Sequence, residues 1–383
     1  MRYIEDIDVE NKKVILRLDL NVTIKDNVIL DDTRIKKSIP TIKYLLSAGA
    51  HVLIMSHLGK IKNESDKLTN SLRIVMDHMS KLLGRDIYFV DNYKSEKLSK
   101  SLDNHDLVMM ENTRFADYPN NLESGCDLEL SKYWASLGDI FINDAFGMTH
   151  RCHASNYGIT KYIPSCYGFL IKEELVGLEP VIDNIERPLT VIMGGAKIDD
   201  KIQLIKSIID RCDYLIVGGG IANTFLASYG YNVGKSLYSK DYVEEIKTII
   251  DINKDKIWMP VDVKVNDNEE IKVVSVEQVN NESAIYDIGP KTMDLISNII
   301  KQSNTILLNG TMGLYEDKNY RDGTEKLFQL LNESNATIIA GGGDALASIN
   351  ELGYSNAFDF LSTGGGATLD YIANKKLKCF EGE

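Results

Sequence analysis

One unit recurs along this chain: a short apolar run, a turn containing glycine, then residues at helical spacing. VLIMSHLG from Val52, DIFINDAFG from Asp139, TVIMGGAK from Thr190, YLIVGGGIANTF from Tyr214, TILLNGTMG from Thr305 and TIIAGGGDALA from Thr337 all follow it. Such alternation predicts parallel sheets covered by helices. In that architecture ligands bind at the carboxyl ends of the strands, where these glycine turns lie.

A chain of 383 residues is long enough for two such domains. Their compositions differ: nine of the 28 glycines precede residue 186, and the triplets Gly218-Gly219-Gly220, Gly341-Gly342-Gly343 and Gly364-Gly365-Gly366 all follow it. The first half instead places Arg17, Arg34, His57, Lys60, Arg114, His150 and Arg151 in or beside its strand exits and loops. One domain therefore offers glycine-rich backbone to a nucleotide, and the other offers side-chain cations to a smaller anion. Between them, GFLIKEELVGLEPVIDNIERP from Gly168 reads as a connecting helix that ends before Pro188.

The formal net charge of −13 argues against bulk attraction to nucleic acid or anionic lipid, so an anionic ligand needs a local basic cluster. A charged N-terminus and short apolar runs predict neither a targeting segment nor a membrane span. The five cysteines, Cys126, Cys152, Cys166, Cys212 and Cys379, contain no CxxC pair and suit a reduced, cytoplasmic protein. GGGIAN and GGGDAL lack the last glycine of a dinucleotide fingerprint, and GYNVGKS (230–236) is one residue short of a Walker A loop.

MGGAKIDDK (193–201) is the most informative join. A strand ends and a helix begins here, and the spacing sets Lys197 and Lys201 one helical turn apart at a pole that is already positive. Two lysines there are costly alone and favourable once a polyanion sits between them. Asp199 and Asp200 are expected to neutralise the pair in part when the site is empty.

Beside that join, RLDLNV, TRI around Arg34, SHLG, ENTRF, NDAFGMTHR, LIVGGGIANTFL, DIGP, LNGTMGLYE, GGGDA and STGGGA occur in one order, and the set closely resembles phosphoglycerate kinase from about Arg17 to Leu369. The resemblance implies two Rossmann-like three-layer α/β/α domains with parallel sheets, residues 1–168 for 3-phosphoglycerate and 188–363 for nucleotide. A hinge helix over 169–187 joins them, and a segment over 364–383 returns to the first. It implies direct transfer of a phosphoryl group between 1,3-bisphosphoglycerate and ADP, giving 3-phosphoglycerate and MgATP, in a cytoplasmic monomer without nucleic-acid or membrane partners. Ligand sets on separate domains then require a hinge motion.

By matching motif, Asp19, Asn21, Arg34, His57, Lys60, Arg114 and Arg151 would surround 3-phosphoglycerate. Lys197, Lys201, Gly219, Gly220, Asn309, Glu316, Gly342, Gly343, Asp344 and Ala345 would surround the nucleotide, with Asp344 holding Mg²⁺. Arg34, Lys197, Gly343 and Gly366 would act on the transferring group. These residue types suit the chemistry, because a carboxylate nucleophile is ionised at neutral pH and needs no general base. What remains is alignment and charge stabilisation by cations and helix N-termini.

Departures from the family pattern fall at the sites. Lys60 stands where the family usually has Arg, Ala345 where it has Thr or Ser, Leu308 and Thr311 in place of the Trp and Pro of WNGP, and Thr23 for Pro. The tail also lacks the usual LPGV-type ending. Two other readings stay open on these grounds: a paralogue acting on another carboxylate, and a nucleotide-binding scaffold without turnover.

Overall fold

The computed structural model describes residues 1–199 and 201–380. They form two units, Met1–Val176 together with the residues from Lys376 on, and Gly177–Lys375. Residues 364–375, read from the sequence as part of the returning segment, group with the second unit. Within the first unit the returning residues are tied down by the Cys379 amide, which donates to the Thr149 carbonyl at 3.1 Å.

Six parallel strands make the first unit's sheet, in the order Tyr88–Val90, Leu107–Met110, His51–Met55, Lys13–Leu18, Ile140–Asp144, Ser165–Tyr167. In the central Lys13–Leu18 strand, Leu16 pairs with Ile54 on one side and Ile142 on the other. Successive side chains leave a strand on opposite faces. Val14, Leu16 and Leu18 therefore enter one core with Ile54 and Ile142, while Ile15 enters a second core with Leu53, Phe141 and Trp134. Both faces are covered, which is why these strands read as continuous apolar runs.

The second unit repeats the plan with Ile257–Trp258, Tyr214–Val217, Leu189–Met193, Thr305–Asn309, Thr337–Gly341 and Phe360–Ser362. Ile192, Ile216, Ile306 and Ile338 share a core with Met293, Phe328 and Ile349 from the covering helices. The all-parallel expectation misses a two-stranded antiparallel hairpin of Ile24–Lys25 and Val28–Ile29 in the first unit and, in the second, a three-stranded antiparallel sheet of Glu270–Ser275, Asp262–Asp267 and Ser283–Ile288. Its first turn sets Asn268 at φ 51° and Glu269 at φ 71°, the two left-handed residues of a tight hairpin. The alternation of Val263 and Val265, both buried, was its sequence signal.

The connecting helix, Phe169–Ile182, starts against a buried carboxylate. Asp144, at the end of its strand, accepts the amides of Leu170 (2.8 Å) and Ile171 (3.2 Å) and the Thr41 hydroxyl (2.5 Å). Burial pushes its carboxyl up to about 6 even though all three donors oppose the shift, and Glu173 adds to it. A carboxyl raised by folding costs stability above its folded pKa and costs nothing below its unfolded one. The cost therefore grows as pH rises from about 4 to about 6. Asp144→Asn keeps an acceptor and removes the titration, so relative to the parent it should gain about 2 kcal/mol between pH 4 and pH 7 in urea unfolding. A difference independent of pH would show that Asp144 is ionised without penalty.

Candidate active site

In the first unit the candidate residues follow four strand ends. Asp19 and Asn21 follow Lys13–Leu18, His57 and Lys60 follow His51–Met55, Arg114 follows Leu107–Met110, and Arg151 lies beyond Ile140–Asp144. The Arg34 guanidinium donates to both Asp19 oxygens, at 3.0 and 3.1 Å, and to the Asn21 carbonyl at 3.2 Å. Arg34 does not pair with its sequence neighbours Asp31 and Asp32 among the described residues. Asp31 instead accepts from Thr33, and Asp32 pairs with Lys36 and His78. The Asn21 side chain accepts the Gly59 amide at 2.9 Å, which fixes the loop carrying Lys60. Lys60 is exposed and makes no ion pair among the described residues.

Arg114 is buried beside Asp117 (3.8 Å), and its Nε has no hydrogen-bond partner among the described residues. An orphaned buried donor is expensive, so its presence marks a place for an acceptor. The exposed Arg151 donates from Nε to His150 at 3.0 Å. Burial, and then the charges of Arg17, Arg114 and Arg34, hold His57 well below the ordinary imidazole value, so it is neutral near pH 7. The sequence reading counted Arg17 among the first half's cations but left it out of the ligand set, and Glu123 and Ser155 escaped it altogether. The available signal was a lone arginine inside VILRLDL, an otherwise apolar strand.

In the second unit the predicted helix after MGG is shorter than expected. It spans Ile202–Ile208, with Lys201 at its N-cap and Lys197 in the preceding turn, so the two lysines do not share a helical face. The buried Lys201 ammonium turns back to the Gly194 carbonyl at 2.6 Å. Asp199 pairs with neither lysine among the described residues and accepts the Ser239 hydroxyl at 3.0 Å; Asp200 lies outside those residues. Lys197 is exposed.

These groups converge on Gly195, at φ +103°. A Cβ there would stand 2.9 Å from the Lys201 ammonium and 3.7 Å from an Asp344 carboxylate oxygen. Asp344 lies in the first turn of the Gly343–Leu352 helix, with Ala345 buried behind it. Asn309 donates to the Gly341 carbonyl at 2.6 Å, and its buried Oδ1 has no partner among the described residues. Gly366 opens the Gly366–Asn374 helix after Gly365 at φ +56°. Beside this centre lies a cavity of about 350 Å³, lined by Gly195, Gly219, Gly220, Leu237, Glu316 and Asp344 among others.

No group of three or more His, Cys, Asp or Glu among the described residues could hold a metal. A single carboxylate beside a lysine and helix N-termini fits Mg²⁺ that takes most of its ligands from water and phosphate. The Walker-like GYNVGKS is a helix end: Gly230 is the left-handed C-cap of Gly219–Tyr229, and Lys235 is ion-paired with Glu282. The cavity wall also contains Asp287, from the DIGP stretch, whose carboxylate accepts the amides of Ile288 (2.9 Å) and Gly323 (2.8 Å).

The glycines of this centre differ in what surrounds them. A Cβ on Gly220 would lie 2.0 Å from the Ala196 carbonyl oxygen, whereas one on Gly343 would meet nothing within 4 Å. Gly220→Ala should therefore cost about 1–3 kcal/mol in thermal or urea unfolding by forcing the 195–196 turn aside. Gly343→Ala should leave stability within about 0.5 kcal/mol. Equal stability of the two variants would mean that the 195–196 turn yields without cost.

The family model described as phosphoglycerate kinase matches residues 4–375. Curated phosphoglycerate kinases from Macrococcus caseolyticus and Enterococcus faecalis are 40% and 42% identical, covering 98% of this chain and 97% and 96% of their own lengths. The solved phosphoglycerate kinase of Coxiella burnetii superposes with a TM-score of 0.86 at 33% identity, over 99% of this chain and 97% of that one. That of Pyrococcus horikoshii gives 0.87 at 28% identity, over 100% and 98%.

Proposed function

The chain belongs to the phosphoglycerate kinase family, and we propose that its two units divide the ligands of that reaction, the acid going to the first and the nucleotide to the second. The reaction is reversible phosphoryl transfer between 1,3-bisphosphoglycerate and ADP, giving 3-phosphoglycerate and MgATP. The observation that carries the assignment is the convergence of Lys201 and Asp344 on Gly195 at two helix N-terminal turns, since a polyphosphate with its metal needs a cation and a carboxylate side by side. Further support comes from the cavity that opens from the same point, of a size to take a nucleoside.

In the ATP-consuming direction an ionised carboxylate attacks the terminal phosphorus in line, so no proton has to be removed. Charge on the three equatorial oxygens is what the protein must stabilise. Lys197, exposed at the turn, and the amides at the starts of Gly343–Leu352 and Gly366–Asn374 are the second unit's donors for it. Arg34 is the first unit's, its guanidinium aimed by Asp19 and Asn21. Arg114, Arg151, His57 and Lys60 would hold the acid, and Asn309 Oδ1, Glu316, Gly219, Gly220, Gly342 and Ala345 would frame the nucleotide. Asp344 would hold the Mg²⁺ that arrives with the nucleotide, which neutralises phosphate charge. No helix among the described residues is long and apolar enough to cross a membrane. We assign the protein to the cytoplasm as a monomer without nucleic-acid partners, a reading supported by its acidic charge and five free cysteines.

A coupled assay with 3-phosphoglycerate and MgATP against a panel of other carboxylic acids tests the assignment. Preference for another acid would establish the paralogue reading, and absence of turnover would establish the scaffold. Within it, Arg34→Ala should lower kcat by about two to three orders of magnitude, whereas Arg114→Ala should chiefly raise KM for the acid. A change confined to KM in Arg34→Ala would remove its role in the transfer step.

Lys60 has the charge of arginine without the planar fork, and it makes no ion pair among the described residues. Lys60→Arg should leave 3-phosphoglycerate binding unchanged or tighten it by at most about 1 kcal/mol. A fall in kcat/KM for this acid would show that the surrounding loop is built for lysine.

A further inference from the structure

Behind the first unit's cationic cluster lies a chain of buried groups that assigned roles do not use. Arg17 is wholly buried. It donates from Nε to Ser155 Oγ at 2.8 Å, from Nη1 to the Leu18 carbonyl, and from Nη2 toward His57 Nδ1 at 3.3 Å. Ser155 is fully buried as well, and having accepted from arginine it gives its single hydroxyl proton to Glu123 Oε1 at 2.5 Å. The other Glu123 oxygen accepts the Ser155 amide at 3.0 Å. His153 lies 3.8 Å from Glu123, beyond hydrogen-bond reach but close enough for attraction. Burial alone would raise the Glu123 carboxyl; His153, the Arg17 charge and the Ser155 hydroxyl outweigh it, and the group lies below the ordinary glutamate value. It is a carboxylate, and it balances a guanidinium.

The direction of these bonds decides the state of His57. A guanidinium has five N–H donors and no acceptor. The ring nitrogen that faces Arg17 must therefore be an unprotonated acceptor, and a neutral imidazole then carries its hydrogen on Nε2. Among the described residues Nε2 has no protein hydrogen-bond partner. We propose that Glu123, acting through Ser155 and Arg17, fixes His57 as the Nε2–H tautomer, so that it meets the acid as a neutral hydrogen-bond donor; Glu123 and Ser155 are positioning residues of that site. The role of His57 toward the acid rests on the reading given under Proposed function. The tautomer itself does not, because it follows from the protein's own contacts.

The relay has a specific function in this setting. Several arginines already supply positive charge around His57, and a protonated imidazole would add repulsion without adding direction. A neutral ring held in one tautomer offers one donor in one place, and it cannot turn over to present an acceptor to an anion. Removing the Glu123 charge takes the stronger of the two carboxylate influences from the buried Arg17 guanidinium, Asp19 being the other, and an under-compensated buried charge rearranges or draws in water. Either outcome withdraws the donor from Nδ1.

The experiment is long-range ¹H–¹⁵N correlation on histidine-labelled full-length protein without ligand, His57 being assigned among the six histidines by the signal lost in His57→Gln. The parent protein should show the Nε2–H pattern for His57 from about pH 6 to pH 8. Glu123→Gln should give a mixed-tautomer or titrating signal, and KM for 3-phosphoglycerate should rise by about tenfold, the scale of one hydrogen bond to a charged group, with a smaller change in kcat. Ser155→Ala, which deletes only the bridging hydroxyl, should do the same and serves where Glu123→Gln does not fold. An Nδ1–H pattern in the parent, or a His57 signal unchanged in both variants, overturns the relay. A tautomer that shifts in the variants while titration with 3-phosphoglycerate leaves every His57 signal in place upholds the relay and overturns the acid-site reading instead.

Discussion

Taking the Arg17 guanidinium wholly out of water would cost several kcal/mol if the charge were left alone, and much of the first unit is arranged around meeting that cost. Its partners come from separate places in the chain: the next residue's carbonyl, the loop after His51–Met55, and the segment around Ser155, which brings Glu123 with it. A central strand cannot carry a charge unless these loops close over its end. The loops also set where the site's cations lie: His57 follows the strand beside the one that carries Arg17, Arg114 follows the next strand out, and Arg34 opens the helix after the Arg17 strand and its hairpin. The site is thus part of what makes the strand end foldable.

The second unit meets a different constraint. The polyphosphate proposed for it needs backbone amides at close range, and side chains are in the way. Gly194, Gly219, Gly220 and Gly310 allow the turns after three neighbouring strands to pack carbonyl against Cα, with a Cβ on Gly194 falling 2.0 Å from the Thr311 carbonyl oxygen and one on Gly310 falling 2.3 Å from that of Gly194. Among the described residues one cation, Lys201, is buried among these turns, and it is held by the Gly194 carbonyl at their centre. The division that composition suggested, cations in one half and glycine in the other, is a difference in how much side chain each strand end can accommodate.

The sheets and most helices were legible because buried parallel strands write themselves as apolar runs and each run is followed by its turn. The antiparallel 262–288 sheet was less so, since its strands show polar residues at alternate positions and resemble connecting segments. Periodicity placed the helix start too early: Ile198 and Ile202 keep helical spacing because the Ile198 carbonyl accepts both the Lys201 and the Ile202 amides, but Lys197 lies before that turn and the Lys201 ammonium turns back to Gly194. Arg34 and Asp19 were legible as members of one site, but not as partners, because their bond joins residues from a loop and a helix fifteen positions apart. Glu123 and Ser155 left no sequence signal, as each is an ordinary polar residue until burial makes it costly.

Three aspartates at strand ends complete the picture, because by sequence they look as catalytic as Asp19. Asp144 binds the amides that open Phe169–Ile182; Asp262 accepts from Lys291 and Thr292 in the first turn of Pro290–Ile300; Asp287 accepts the Gly323 amide in the first turn of Asp322–Asn332. None of the three has a cation within ion-pair distance among the described residues. Burial pushes the Asp287 carboxyl up to about 7, as it pushes Asp144 to about 6. A carboxylate that stays buried without a cation is held by helix N-termini, whose amides would otherwise be unsatisfied. In this fold a helix start filled by a protein carboxylate fixes an element, and the start at Gly343, where a Cβ would meet nothing within 4 Å, is where we propose that a ligand phosphate binds. What separates a structural helix start from a functional one here is whether the chain supplies its own anion.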